Sequence, residues 1–386
     1  MKLGVKSTAL SVIAAVFVGV LSVAIVNGQT GAPERAPLSE EVFKNVQVMK
    51  GIPVDQFMAT MGFFSASLGM SCGDCHAADD RNWDGFAVDN PKKRTTRRMI
   101  TMMAAINKDN FGGRQLVTCY SCHRGADRPR ATADLAVLYG TFPAPDPNEI
   151  FAASAPGAPT ADSVLNKYIQ ALGGTQRLAA LTSYTATGTS VGYGPEAAEM
   201  RAVELYAKAP AQRTLVIHTG NGDNTSVYDG GMGWSAAPLA PVKVLPLDKQ
   251  ELDGAKLDAM MAFPGQIKQA VGSWRVGFAS TIDDREVEVV QGATPGGTTA
   301  TFYFDKQTGL LTRWIRYANS PVGRLSTQTD YSDYRDVAGV KVPHHMVVTW
   351  LDGRETIELS SVRPNVPVDA AKFAKPATPT APPAAR

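Results

Sequence analysis

Two five-residue stretches, Cys72-Gly73-Asp74-Cys75-His76 and Cys119-Tyr120-Ser121-Cys122-His123, constrain this chain more than anything else in it. Each reads C-x-x-C-H, the spacing that attaches a c-type haem. Two intervening residues let both sulfurs reach the vinyl groups of one porphyrin. The histidine directly after the second cysteine then lies beneath the iron as its proximal ligand. The two motifs use all four cysteines of the chain. Zinc needs four ligands gathered together, whereas each motif offers three, already in haem order. Haem therefore explains the pattern better than zinc or a redox disulfide. The expectation is two covalently bound haem c groups, anchored by Cys72 and Cys75 and by Cys119 and Cys122, with His76 and His123 on the irons.

At 386 residues and 44% hydrophobic content the chain is long enough for two ordinary domains with a buried core. Its net charge of +2 predicts no nucleic-acid binding. With every cysteine committed, no structural disulfide is available to report the compartment, so the leader must. Lys2 and Lys6 precede an apolar run over 7–26 and a polar stretch from Asn27. A basic n-region followed by an apolar h-region reads as an export signal over 1–28. A run of about 20 apolar residues also suffices to span a bilayer, so cleavage and retention as an inner-membrane anchor both stay open. Either way the bulk of the chain is expected in the periplasm.

The first domain is expected over 36–140. Phe57, Met61, Phe64 and Leu68 recur at helical spacing, with Asp55 in the first turn and Gly69 as the C-cap. Asn90-Pro91 starts a second helix that runs through Met99, Met103 and Ile106. Each motif is thus preceded by a helix carrying methionines. A c-type iron with one histidine needs a sixth ligand unless its site is open. The remaining histidines, His218, His344 and His345, lie far downstream. Methionine sulfur is then the natural distal ligand, from Met58, Met61 or Met70 in the first case and Met99, Met102 or Met103 in the second. Any one of these taken alone reads equally as core packing, and spacing does not choose among them. Arg97 and Arg98 suit haem propionates or an acidic partner, although a solvated helix face explains most of the basic run. Trp83 and Tyr120 suit either porphyrin edges or ordinary packing.

The strings Asp55-Gln56-Phe57-Met58-Ala59-Thr60-Met61 and Ser67-Leu68-Gly69-Met70-Ser71-Cys72 resemble the haem-binding units of the photosynthetic reaction-centre cytochrome c subunit family. So do Arg97-Arg98-Met99-Ile100-Thr101-Met102-Met103-Ala104-Ala105-Ile106-Asn107 and Val117-Thr118-Cys119, with Arg124-Gly125 after the second motif. The resemblance covers roughly residues 40 to 130. It implies His76/Met61 and His123/Met99 ligation, one-electron transfer, and a redox partner that is a photosynthetic reaction centre or another membrane electron-transfer complex. The family's familiar members carry four haems in two such pairs, and this chain has one pair. Gly112-Gly113-Arg114 stands where such members place a further haem-ligating histidine. The resemblance therefore supports a di-haem unit more than docking on a reaction centre.

From 141 to 160 the sequence is rich in Pro, Ala and Ser and reads as a linker. A second domain is expected over 161–372. It opens with an amphipathic helix at 162–172 closed by Gly173-Gly174, then a short helical piece at 175–180. Strand alternation follows at 201–207, 214–219, 226–228, 286–290, 299–304, 311–317 and 347–351. Asp305 to Gly309 and Asp352-Gly353 read as hairpin turns. An α+β chain results: a small helical di-haem unit followed by an antiparallel half-barrel with one packed helix. Asp229-Gly230-Gly231-Met232-Gly233-Trp234 and the Phe304–Leu310 turn are similar to strand-turn units of periplasmic lipoprotein carriers. That likeness implies a concavity for an apolar ligand such as an acyl chain or quinone, with a plain docking module as the alternative. His344-His345 lacks a companion cluster and reads as a strand-edge surface pair. The tail over 373–386 reads as disordered.

The leading function is a periplasmic di-haem electron carrier, not an enzyme. The alternatives are a di-haem peroxidase, which needs an accessible distal face on one iron, and a lipid or quinone carrier with accessory haems.

Overall fold

A computed structural model describes residues 34–77, 83–129, 131–132, 135, 149–193 and 198–379. The leader (1–28), the first part of the linker (141–148) and the last seven residues lie outside them. Among the described residues no helix is long and apolar enough to cross a membrane.

The N-terminal half is helical. Helix α1 (Ser39–Val42) leads into α2 (Val54–Leu68), which ends on Gly69 in the left-handed conformation that a C-cap favours. Each C-x-x-C stretch is a single helical turn, α3 (Cys72–Cys75) and α5 (Cys119–His123). The residues between the cysteines cap these turns. Asp74 accepts the Ser71 N–H at 2.8 Å, and Ser121 Oγ accepts the Thr118 N–H at 3.0 Å. Between them runs α4 (Pro91–Phe111), with Asn90 as N-cap accepting the Lys93 N–H at 3.0 Å and Pro91 at N1. The helix extends a turn past Asn107 and stops at Gly112.

The C-terminal half is one antiparallel sheet: β1 (Ser183–Gly192), β2 (Arg201–Lys208), β3 (Gln212–Thr219), β4 (Gly222–Tyr228), β5 (Gly233–Ala236), β6 (Val244–Pro246), β7 (Gly272–Val276), β8 (Ser280–Ile282), β9 (Arg285–Ala293), β10 (Thr299–Asp305), β11 (Leu311–Ser320), β12 (Gly323–Val337), β13 (Val340–Trp350) and β14 (Gly353–Pro364). The first and last strands pair with each other. The order runs β6 to β1, then β14 back to β9 and β7, with β8 on β9. Helices α6 (Ala161–Ala171) and α7 (Thr175–Ala180) precede the sheet, as the periodicity predicted. Helix α8 (Lys249–Met261) and the short α9 (Ile267–Ala270) carry the chain from the β6 edge to the β7 edge.

The core lies between these helices and the sheet. Leu165, Tyr168, Ile169 and Leu172 of α6 join Leu257, Met260 and Met261 of α8 against Phe302, Phe304, Trp314 and Ile357. The expected single packed helix is accompanied by α8. Its sequence, Lys249-Gln250-Glu251-Leu252-Asp253-Gly254-Ala255-Lys256-Leu257-Asp258-Ala259-Met260-Met261, shows little apolar periodicity because charged Asp258 and Gly254 occupy inward positions. Arg316 fills the space over Gly254 and bonds Glu251 at 3.1 Å. One cavity between the helices and the sheet measures about 80 Å³, lined by Tyr168, Tyr184, Tyr331, Tyr334, Arg213 and Asp258 among others. His344 departs from its expected place at a strand edge: β13 lies between β12 and β14, and the ring is 5% exposed with Nδ1 2.9 Å from the Val342 carbonyl.

The described residues from Arg35 onward form one compact unit. Phe63 and Met103 of the helical half share an apolar cluster with Ala318, Val322 and Leu325 of the sheet. Gln115 Nε2 donates to the Ser320 carbonyl at 3.0 Å, Trp83 Nε1 to the Leu239 carbonyl at 3.1 Å, and Gln56 to the Asn319 carbonyl.

Candidate haem clefts

The four thiols are free, with Cys72 and Cys122 exposed and Cys75 and Cys119 half-buried. Burial pushes the Cys75 thiol up and the Cys119 thiol up to about 11. A redox-active C-x-x-C pair has the opposite shift, towards the thiolate. Among the described residues no three His, Cys, Asp or Glu side chains gather as a metal site.

Each motif opens onto its own cleft. Cys72, Cys75 and His76 line a first cleft of about 210 Å³, whose other walls carry Phe43, Phe57, Met58, Met61, Trp83 and Phe86. Cys119, Cys122 and His123 line a second cleft of about 350 Å³ with Met99, Met102, Met103 and Ile106 of α4. Phe64, Leu68, Met70, Cys75, Thr96 and Ile100 border both, so the clefts share a wall.

Both histidines are fixed in the same way. His76 Nδ1 is 3.2 Å from the Phe86 carbonyl, and His123 Nδ1 is 3.0 Å from the Ala126 carbonyl. A carbonyl only accepts, so the proton sits on Nδ1 and the Nε2 lone pair stays free, the arrangement a metal-ligating histidine requires. Burial, helped by Lys93, lowers the His76 pKa and keeps that ring neutral. These carbonyls are invisible to sequence reasoning, because one lies ten residues from its histidine, on the short 3₁₀ turn Trp83–Ala87.

Helix α2 has two faces. Met58, Met61, Phe64, Ser65 and Leu68 turn to the first cleft, while Thr60, Phe63 and Ser67 are buried. Helix α4 presents Met99, Met102 and Ile106 to the second cleft, with Met99 38% and Met102 47% exposed. Met103, which also borders the second cleft, is 5% exposed in the cluster that joins α4 to the sheet. Met61 and Met99 therefore each line the cleft of their own motif. Met58, Met70, Met102 and Met103 line clefts as well.

Hydrogen bonds tie α4 to a motif at either end. Asn90 Nδ2 donates to the Cys75 carbonyl at 2.7 Å. Asn107, 6% exposed, accepts the Leu116 and Val117 N–H groups at 3.1 and 2.9 Å and donates to the Val117 carbonyl at 2.7 Å. The motifs also touch directly. Gly125 N–H donates to the Ser67 carbonyl at 2.9 Å, and a Cβ on Gly69 would stand 2.3 Å from the Gly125 carbonyl oxygen.

The first cleft is the more aromatic. Phe57 stacks on Phe43 at 5.1 Å, Trp83 lies 4.9 Å from Phe86, and Phe86 lies 4.8 Å from the His76 ring. Trp83 thus belongs to the cleft wall, whereas Tyr120 is 54% exposed and borders neither cleft. Arg97 lines the first cleft but is paired with Asp89 at 2.7 Å, and it holds that carboxyl below the usual range. Arg98 borders neither cleft and donates to Thr95 Oγ1 at 3.3 Å on an exposed face, the solvated alternative.

The donor set fits covalently attached haem. Paired thiols, a histidine with its Nε2 free and a thioether-bearing helix meet at an apolar cleft, and this happens twice.

Among solved structures, the chain is similar to a LolA superfamily protein from Nitrosomonas europaea, with 13% identity, 56% of this chain and 99% of that one covered, and a TM-score of 0.40. It is also similar to a DUF1329 family protein from Desulfovibrio piger, with 12% identity, coverage of 55% and 96%, and a TM-score of 0.40. The photosynthetic reaction center cytochrome c subunit of Thermochromatium tepidum is 35% identical over 103 residues, 26% of this chain and 24% of the relative. The chain thus spans about a quarter of the length of that relative. Residues 7–134 match the family model of the photosynthetic reaction centre cytochrome C subunit, so this part of the chain is similar to that family and supports a cytochrome-like electron-transfer role.

Proposed function

We propose that the chain is a di-haem c-type electron-transfer protein working outside the cytoplasm. The observation that carries this reading is the repeated histidine geometry: in both motifs Nδ1 is tied to a main-chain carbonyl while the ring borders an apolar cleft that a methionine helix also lines. Haem c supplies a one-electron ferrous/ferric couple when bound.

The chain's own residues do the rest. Cys72 and Cys75 would anchor the first group and Cys119 and Cys122 the second. His76 with Met61, and His123 with Met99, would fill the axial positions, leaving no vacancy for a substrate. Met61 and Met99 are preferred to their neighbours because they match the family's distal positions. Phe64, Leu68, Thr96 and Ile100 form a thin apolar partition between the clefts. The Gly69–Gly125 contact and the two asparagine ties hold that spacing fixed. The partner that this reading favours is another redox protein, with a photosynthetic reaction centre as the specific candidate from the family likeness. Residues 1–28 read as the export signal, cleaved or kept as an inner-membrane anchor, that haem attachment outside the cytoplasm requires.

The test is a redox titration of the full chain produced with haem-attachment machinery. Two one-electron steps and low-spin spectra in both oxidation states support the reading. A high-spin resting iron that turns over peroxide supports the peroxidase alternative, and a colourless protein removes the proposal.

A further inference from the structure

One wall of the first cleft comes from neither motif and neither methionine helix. Asp352, in the tight turn between β13 and β14, lines it, whereas no residue of the sheet lines the second cleft. Its carboxyl lies against α2 at Gly62, the residue after Met61. A Cβ on Gly62 would stand 2.9 Å from Asp352 Cγ and Oδ1. Glycine is a poor residue for the middle of a helix, and here its missing side chain is the space the carboxyl fills.

The turn is built to hold that carboxyl. Trp350 packs over Gly353, where a Cβ would come within 2.5 Å of the indole. The cations that border the same cleft are engaged elsewhere. Lys44 pairs with Asp84 at 2.8 Å, Arg97 with Asp89 at 2.7 Å, and Lys93 donates to the Phe86 and Val88 carbonyls at 2.6 and 2.7 Å. Contact with α2 on one side raises the proton affinity of Asp352, while its other side stays exposed to solvent. Its charge acts at short range on anything that shares the cleft.

We propose that Asp352 is a tuning residue through which the sheet lowers the reduction potential of the first cleft's haem and leaves the second unaffected. A fixed negative charge favours the oxidised, more positive centre. The inference rests on the reading that both clefts hold haem.

The test compares full-length holoprotein with Asp352→Asn and Trp350→Phe by spectroelectrochemical titration at neutral pH. Met61→His identifies the couple that belongs to the first cleft. Asp352→Asn keeps the shape of the turn and is expected to raise that couple by about tenfold in its reduction equilibrium, 59 mV for one electron. The other couple stays in place. Trp350→Phe, which thins the ring packed over Gly353 at a position 42% exposed, moves the same couple by loosening the turn that carries Asp352. Two intact couples that do not move, that move together, or of which only the second moves would overturn the inference while leaving the di-haem reading standing. Absence of two one-electron couples would overturn that reading and the inference with it.

Discussion

Gly69→Ala tests how the two motifs are held together, and the chain supplies its own control. Gly69 closes α2 at φ 63° and ψ 33°, and Gly112 closes α4 at φ 60° and ψ 32°. Alanine at either position pays roughly 1–2 kcal/mol for the left-handed backbone. At Gly112 nothing lies within 4 Å of the added Cβ, so that is the whole cost. At Gly69 the Cβ falls 2.3 Å from the Gly125 carbonyl oxygen, which is main chain and cannot rotate away. Relieving the overlap separates α2 from the segment after α5, adding about 1–3 kcal/mol of overpacking. It also strains the Gly125–Ser67 hydrogen bond, worth about 1 kcal/mol. Urea unfolding of the two variants should therefore show Gly69→Ala less stable than Gly112→Ala by roughly 2–4 kcal/mol. Equal losses would refute the claim that the motifs are clamped through this contact.

Three further outcomes follow from the same coordinates. Phe63→Ala empties the cluster shared by α2, α4 and the sheet, and should cost about 3–5 kcal/mol in denaturant unfolding; a loss under 1 kcal/mol would mean the halves do not depend on it. Asn107→Ala removes three hydrogen bonds to the approach of the second motif, with an expected loss of roughly 2–4 kcal/mol. Its spectral change should be confined to one haem, and two equally altered haems would contradict the assignment. Burial, then Glu251 and Asp248, raise the Asp55 pKa from 3.8 to about 6, and its Oδ2 has no hydrogen-bond partner. The protonated form is favoured by folding, so its contribution is complete below pH 3.8 and lost as pH rises through about 6. Unfolding free energy should decline by up to about 3 kcal/mol across that window, and Asp55→Asn should flatten the decline. An unchanged pH profile would contradict it.

The sequence revealed the parts of the site that are local. The cysteines, the histidines, the Gly69 cap and the Asn90-Pro91 start are each set by spacing within a few residues. Spacing narrows the distal methionines to a short stretch and not to a residue, because Met99, Met102 and Met103 share one stretch of α4 and all three border the second cleft. The Phe86 and Ala126 carbonyls carry no side-chain signal. Asp352 was legible as a hairpin turn, yet nothing in Asp352-Gly353 announces that the turn lands on Gly62, nearly three hundred residues earlier. Helix α8 escaped notice because Asp258 and Gly254 face inward, and an amphipathic pattern fails where Arg316 supplies the burial instead.

The most direct measurement is the count and ligation of haem in the purified full-length protein, by iron content with optical and paramagnetic-resonance spectra. Two covalently held low-spin haems per chain are expected, each with sulfur-to-iron charge-transfer absorption. Met61→Ala and Met99→Ala should each abolish half of that absorption. A single haem, or two that keep this absorption in both variants, would contradict the account.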